Sequence, residues 1–249
     1  MYLSPGKERL LNIFFRDPWA ELHQRELARK AKVPVNNAHK YLGEFVGDGL
    51  LVRREVANMA LLRLNWESDY LLKLLEIFEV SQRTDFLARN KSIARLLTKA
   101  TDTLVRESES HVQLVMLFGS VARETWTSKS DIDLLVLASS SGNVINKAFT
   151  AAKTVAESVL ELSPVFTTID AAMIGFRERK AFHQEIWGDR VVLYNEFLFW
   201  QIVKRGMTPD CPLVTRPFSS GPNSSRSATP NRSKKPGATG SRSSTKLRS

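Results

Sequence analysis

Residues 117–137 read LFGSVARETWTSKSDIDLLVL. An apolar run ends in Gly119-Ser120, a polar connection of ten residues follows, and Asp131-Ile132-Asp133 opens a second apolar run. In a strand, residues i and i+2 point to the same face, so Asp131 and Asp133 project together while Ile132 turns into the packed side. Two carboxylates held side by side repel each other, and a fold keeps such a pair when a hard cation sits between them. Mg²⁺ takes oxygen ligands and commonly bridges one or two carboxylates to substrate phosphates. Gly119-Ser120 follows an expected strand, Val112–Phe118, and should open a short helix. Backbone N–H groups at a helix start cradle phosphate, and Gly allows close approach. A phosphate cradle beside a metal-binding pair is the equipment of phosphoryl or nucleotidyl transfer.

The elements after this segment follow from apolar spacing. Residues 139–142 make a loop, 144–160 an amphipathic helix, 164–169 a strand, 172–186 a mostly helical stretch, 191–194 a short strand and 197–203 a last helix. This order predicts a small mixed sheet with helices on one side. Upstream, residues 66–80 and 85–107 carry apolar stripes at helical intervals and predict two helices that link the flanking regions. Their stripes leave a homodimer interface open beside the simpler reading of an internal core. The expected fold class is therefore α/β (α+β), with domains at 1–65, 66–110 (the helical linker), 111–205 and a tail at 206–249.

The net charge of +10 is uneven: from Gly206 onward there are eight Lys or Arg residues and one acid, Asp210, so +7 of it lies in the tail. That tail is dense in Ser, Pro, Gly and Arg and poor in large apolar residues, which predicts disorder. A basic tail adds non-specific affinity for nucleic acid, or serves only as a solubilising extension. Cys211 is the single cysteine, which excludes an internal disulfide framework and fits a reducing, cytoplasmic setting. No apolar run has the length of a membrane span, and the first residues lack the long apolar core of a signal peptide. His23, His39, His111 and His183 show no ligand spacing and are expected at the surface or in packing.

The first sixty-odd residues have a different pattern. Leu10, Leu11, Ile13, Phe14 and Phe15 mark a helix closed by Asp17-Pro18. A short helix ends before Pro34, and another runs from about Val35 to Gly49. Residues 50–56 and 59–64, joined by Ala57-Asn58, read as a hairpin. Three helices and a hairpin in this order resemble a winged helix-turn-helix domain. The resemblance implies that the third helix enters the DNA major groove with Asn36, Asn37 and Lys40 forward, while Arg53 and Arg54 of the wing hold the backbone. A scaffold or dimerisation role is the other use of such a module.

Gly-Ser, ten residues, then Asp-x-Asp resembles the signature of the DNA polymerase beta-like nucleotidyltransferase superfamily. The letters FGSVAR and SKSDIDLLV look most like its minimal nucleotidyltransferase branch. One departure lies at Glu124, where members often have Gly. The resemblance implies a nucleoside triphosphate, ATP in the first instance, bound with Mg²⁺. Gly119 and Ser120 would hold phosphates, Asp131 and Asp133 the metal, and Arg123 or Lys129 the departing pyrophosphate. Members usually add a third carboxylate from the next strand. Here the only acid on that strand is Asp170, at its end, and a turn or helix-cap role competes with metal binding. The acceptor implied is a hydroxyl, on a protein toxin if the chain works as similar antitoxins do. Two other readings stay open: a winged-helix regulator or antitoxin whose transferase-like domain only binds nucleotide or partner, and a transferase acting on an aminoglycoside-like small molecule.

Overall fold

The computed structural model describes residues 3–56, 59–139, 142–156 and 160–207. The turn at Ala57-Asn58, part of the 139–142 loop, the end of the helix expected at 144–160, Cys211 and the tail beyond residue 207 lie outside them.

Helix α1 (Pro5–Arg16) starts on a proline, whose fixed φ suits a first helical turn, and buries Leu10, Leu11, Phe14 and Phe15. A two-residue strand, β1 (Leu22–His23), follows. It is too short to leave an alternating pattern, so the sequence did not reveal it. Helix α2 (Gln24–Ala31) ends at Lys32, which adopts φ 52°, and Pro34 leads into α3 (Val35–Gly47). Gly49, at φ +72°, closes α3; the Leu50 amide donates to the Phe45 carbonyl at 2.8 Å. The chain then enters β2 (Leu51–Val56), which pairs antiparallel with β3 (Met59–Leu64) in a sheet ordered β1-β3-β2.

Helix α4 (Asp69–Arg89) is longer than expected. Residues 81–85 are polar but contain no Gly or Pro, so nothing stops the helix there. The break comes at Asn90, whose side-chain amide donates to the Phe86 carbonyl at 2.9 Å, and α5 (Lys91–Glu107) begins beyond it. Strand β4 (Val112–Phe118), the short α6 (Gly119–Ala122), β5 (Ile132–Ala138), α7 (Asn143–Ala156) and β6 (Leu162–Thr167) follow. The stretch expected as mostly helical at 172–186 is two helices, α8 (Ile169–Arg177) and α9 (Ala181–Asp189). They separate at Arg179, at φ 52°, where the Lys180 amide donates to the Gly175 carbonyl at 3.0 Å. Strand β7 (Val191–Tyr194) and α10 (Glu196–Met207) complete the described chain.

The second sheet is ordered β6-β5-β4-β7; β5 and β6 run parallel and the other pairs antiparallel. Its apolar residues alternate between two cores. Val115, Leu117, Leu134 and Val136 pack with Ile93, Leu97 and Leu104 of α5 and Ile145 and Ala148 of α7. Leu114, Met116, Leu135 and Leu137 belong to a larger core with α8, α9, α10, the first half of α4 and α1–α3. Helices therefore cover both faces, which corrects the one-sided expectation. Both central strands are apolar at successive positions, as a sheet buried on two sides requires.

The larger core holds a buried ion pair. Arg190 and Glu79 have side chains 6% and 1% exposed and meet at 2.9 Å. Arg190 also donates to the carbonyls of Trp187 at 2.9 Å and Phe15 at 3.1 Å, and lies over the Trp187 ring at 4.0 Å. Trp187 donates its indole N–H to the Arg16 carbonyl at 2.6 Å. The C-terminal end of α9 is thereby fastened to the end of α1. No helix of the described residues is long and apolar enough to cross a membrane.

Candidate active site

The ladder between β4 and β5 sets the site. Phe118, the last residue of β4, pairs with Asp133. Gly119, the next residue, turns into α6 with φ +74° and is buried against the Asp133 carboxyl group. A Cβ on Gly119 would overlap Asp133 Oδ2 and lie 3.1 Å from its Cγ. Both φ and space therefore demand glycine here. Asp131 is exposed, just before β5, and Asp133 is half-buried two residues on.

Burial is the main cause that pushes the Asp133 carboxyl up from its ordinary range. Asp131 adds to this, Arg123 opposes it, and Glu185 raises it further. A half-buried carboxylate whose ionisation a neighbouring carboxylate makes costlier fits a divalent cation in its donor chemistry. Among the described residues, no three His, Cys, Asp or Glu side chains converge as a metal-binding group. A cation here would take its remaining ligands from substrate phosphate and water.

Ser120 stands on the first turn of α6. Its carbonyl accepts from the Thr125 amide at 3.0 Å, and its hydroxyl makes no hydrogen bond among the described residues. The following turn keeps a left-handed residue at Glu124, φ 60°, although the side chain is not glycine. The Glu124 carboxylate accepts from Arg89 Nε at 3.0 Å and Nη2 at 2.7 Å, which helps offset the cost of that backbone. The turn with positive φ thus forms at Glu124 without a glycine. Lys129 is exposed in the 127–130 loop. With Ser128, Ser130, Asp131, Lys153 and Glu161 it lines a cavity of about 380 Å³ beside Asp131.

Arg123 caps α6 and is held from α9: its guanidinium pairs with Asp189, and Glu185 lies 3.8 Å from the same nitrogen. Sequence reasoning did not find these carboxylates. They are more than sixty residues from Arg123 and leave no local pattern.

Asp170 does not join the pair. It sits, exposed, in the first turn of α8, where Thr168 is the cap and accepts from the Ala171 amide at 3.2 Å. In the parallel register, Asp133 pairs with Ser163 and Leu137 with Thr167. Asp170 is thus beyond the far end of β6, roughly 13 Å or more along the strands from Asp133. The residue of β6 paired with Asp133 is Ser163, and no residue of β6 is acidic.

In the N-terminal module, Asn36, Asn37 and Lys40 are exposed on the first turns of α3. Arg53 is exposed on β2. Arg54, also on β2, is tied to both oxygens of Glu21 at 3.2 and 3.1 Å. The histidines are dispersed: His23 caps α2, His39 meets Gln24 at 3.0 Å, and His111 meets Ser139 at 3.0 Å. His183 fills the space above Gly175 between Phe176 and Phe182.

Residues 99–196 match the family model described as polymerase beta, nucleotidyltransferase. The match begins within α5 and covers Gly119, Ser120, Arg123, Asp131, Asp133, Glu185 and Asp189. This segment is thus similar to that family, which supports nucleotidyl transfer at the superfamily level. No curated protein and no solved structure matches the chain.

Proposed function

We propose that the protein is a Mg²⁺-dependent nucleotidyltransferase that moves a nucleoside monophosphate, AMP from ATP, to an acceptor hydroxyl. The reading rests above all on the close fit of Gly119 against Asp133, with Asp131 two residues away. Bound Mg²⁺ would screen the phosphates and polarise the α-phosphate. Asp131 and Asp133 are the residues that would hold it. The N–H groups and hydroxyl at Gly119-Ser120 receive phosphate oxygens, and Arg123 offsets the charge of the leaving pyrophosphate. The acceptor oxygen forms its bond to the α-phosphorus as the bond to pyrophosphate breaks, and the hydroxyl proton is released. No acid of β6 stands beside Asp133 to take that proton, so proton transfer contributes less here than positioning and charge.

The N-terminal module, residues 1–65 in this reading, is a winged helix-turn-helix domain that binds DNA. Asn36, Asn37 and Lys40 face base edges, and Arg53 and Arg54 face the backbone. What supports it is the order of helices and hairpin and the exposure of these side chains. The acceptor class that fits both halves is a protein toxin whose antitoxin this chain would be. A second reading, a DNA-binding regulator whose transferase-like domain only binds nucleotide, is favoured by one observation: Asp170 is remote from the carboxylate pair.

Labelled ATP, Mg²⁺ and candidate acceptors test the proposal. Transfer by the wild type that is lost in Asp131→Ala and Asp133→Ala supports it. Equal label in all three proteins overturns it, and nucleotide binding without transfer selects the regulator.

A further inference from the structure

Arg123 reaches the site from a two-carboxylate mount on another helix. Asp189 and Glu185 lie one turn apart on α9 and face the same guanidinium nitrogen, Nη1. Asp189 is the closer partner and its side chain is only 17% exposed, so it forms the fixed part of the mount. Helix α9 is itself immobilised. Trp187 donates to the Arg16 carbonyl, Phe182 packs edge-on to Phe118 at 5.7 Å, and Arg190 follows directly with its buried partner. The other donors of Arg123, Nε and Nη2, have no partner among the described residues. A guanidinium held along one edge presents the opposite edge as a ready two-pronged donor for phosphate oxygens. Arg123 ends α6, the short helix that Gly119 and Ser120 open, so the guanidinium and the cradle stand on one element.

We propose that Asp189, assisted by Glu185, is a positioning residue that holds Arg123 by one edge so that the other receives the polyphosphate of the nucleotide. This deepens the transferase reading and rests on it. Asp189 touches neither substrate nor metal; it acts through Arg123 alone. An exposed arginine spends side-chain freedom each time it binds phosphate, and the mount removes that cost beforehand.

A double-mutant cycle on Mg·ATP and inorganic pyrophosphate binding, read by calorimetry, tests this. Arg123→Ala should weaken both ligands about tenfold or more, and Asp189→Ala about tenfold, as for loss of a charge-assisted hydrogen bond. Asp189→Asn keeps an acceptor oxygen and should recover part of the affinity. Glu185→Ala should have a smaller effect. In the Arg123→Ala background, Asp189→Ala should change nothing further. If transfer is measured, Asp189→Ala should lower kcat/KM for ATP, and this loss should vanish in the Arg123→Ala background. Full additivity of the two variants overturns the positioning role while leaving Arg123 as a phosphate ligand. No effect of Arg123→Ala removes Arg123 from the site and takes this inference with it, while Asp131 and Asp133 stand or fall separately. No binding by the wild type removes the transferase reading itself, and the positioning role with it. Unchanged melting temperatures across the set confirm that the fold is intact.

Discussion

The start of β5 and the start of α3 hold the two groups of polar residues to which function is assigned, and they are built in opposite ways. At β5, a glycine with left-handed backbone and the Asp133 carboxylate fix each other's place, and nearby Arg123 is held by Asp189. At α3, Asn36, Asn37 and Lys40 stand exposed on a packed helix, and none supports another. Interlocked groups fail together, whereas independent ones fail one at a time. A phosphate-transfer site needs the first arrangement because a misplacement of about 1 Å is costly to catalysis. A surface that meets a long polymer tolerates the second because its contacts add up.

The largest effects should come from the interlocked region. Asp133→Asn should reduce transfer on the order of a thousandfold or more, as expected for loss of a metal-held charge worth several kcal/mol. Gly119→Ala should approach the same loss without altering any charge, because its methyl group displaces the Asp133 carboxylate. Activity assays on the two variants, with melting curves as a control, check this. A mild Gly119→Ala phenotype would show the interlock to be loose.

Next comes stability. Glu79→Ala leaves Arg190 buried without its carboxylate and should cost about 3–5 kcal/mol, whereas Glu76→Ala breaks a surface pair with Lys73 and should cost less than about 1 kcal/mol. Denaturant melts on the two variants measure the contrast.

A smaller effect should appear with pH. Burial among Phe176 and Phe182, then the charge of Lys180, pushes the His183 imidazole below its ordinary range. The unfolded chain therefore takes up this proton more readily than the folded one. The stability that depends on it is present above the ordinary histidine range and is lost as pH falls through the lowered folded value. Melting temperatures between pH 7 and 5 should fall more steeply for the wild type than for His183→Phe; equal slopes would exclude the effect.

The smallest changes belong to the α3 side. Asn37→Ala should cost about 1–3 kcal/mol of discrimination at one base pair. Arg53→Ala should weaken binding to all sequences alike and reduce the salt slope by about 1, and Arg54→Ala by less, since Arg54 must first leave Glu21. Mobility-shift titrations over a salt series would show these differences. Strong coupling between Asn37 and Arg53 would break the contrast between the regions.

What the sequence made legible follows the same division. The strands at 112–118 and 191–194, the helix opened by Gly119 and the hairpin pairing were readable because each depends on alternation or turn chemistry within a few residues. That Asp131 stands near enough to Asp133 to raise the cost of its charge was readable from their spacing. The mount of Arg123, the Arg190–Glu79 pair and the second covered face of the sheet were not, since each joins positions far apart in the chain. Asp170 shows how a short local error grows. With the strand set at 164–169, the acid follows it directly, but β6 ends at Thr167 and a capped helix carries Asp170 away at the wrong end of the sheet.

The fastening of α9 to α1 has a thermodynamic consequence. Because Trp187 and Arg190 bond to the carbonyls of Arg16 and Phe15, the helices before residue 50 cannot come apart from the four-stranded sheet without breaking the hydrogen bonds of the indole N–H and of Arg190 Nη2. Heating should therefore produce a single sharp endotherm, with calorimetric and van 't Hoff enthalpies in agreement, from a chain whose sequence reads as two separate modules.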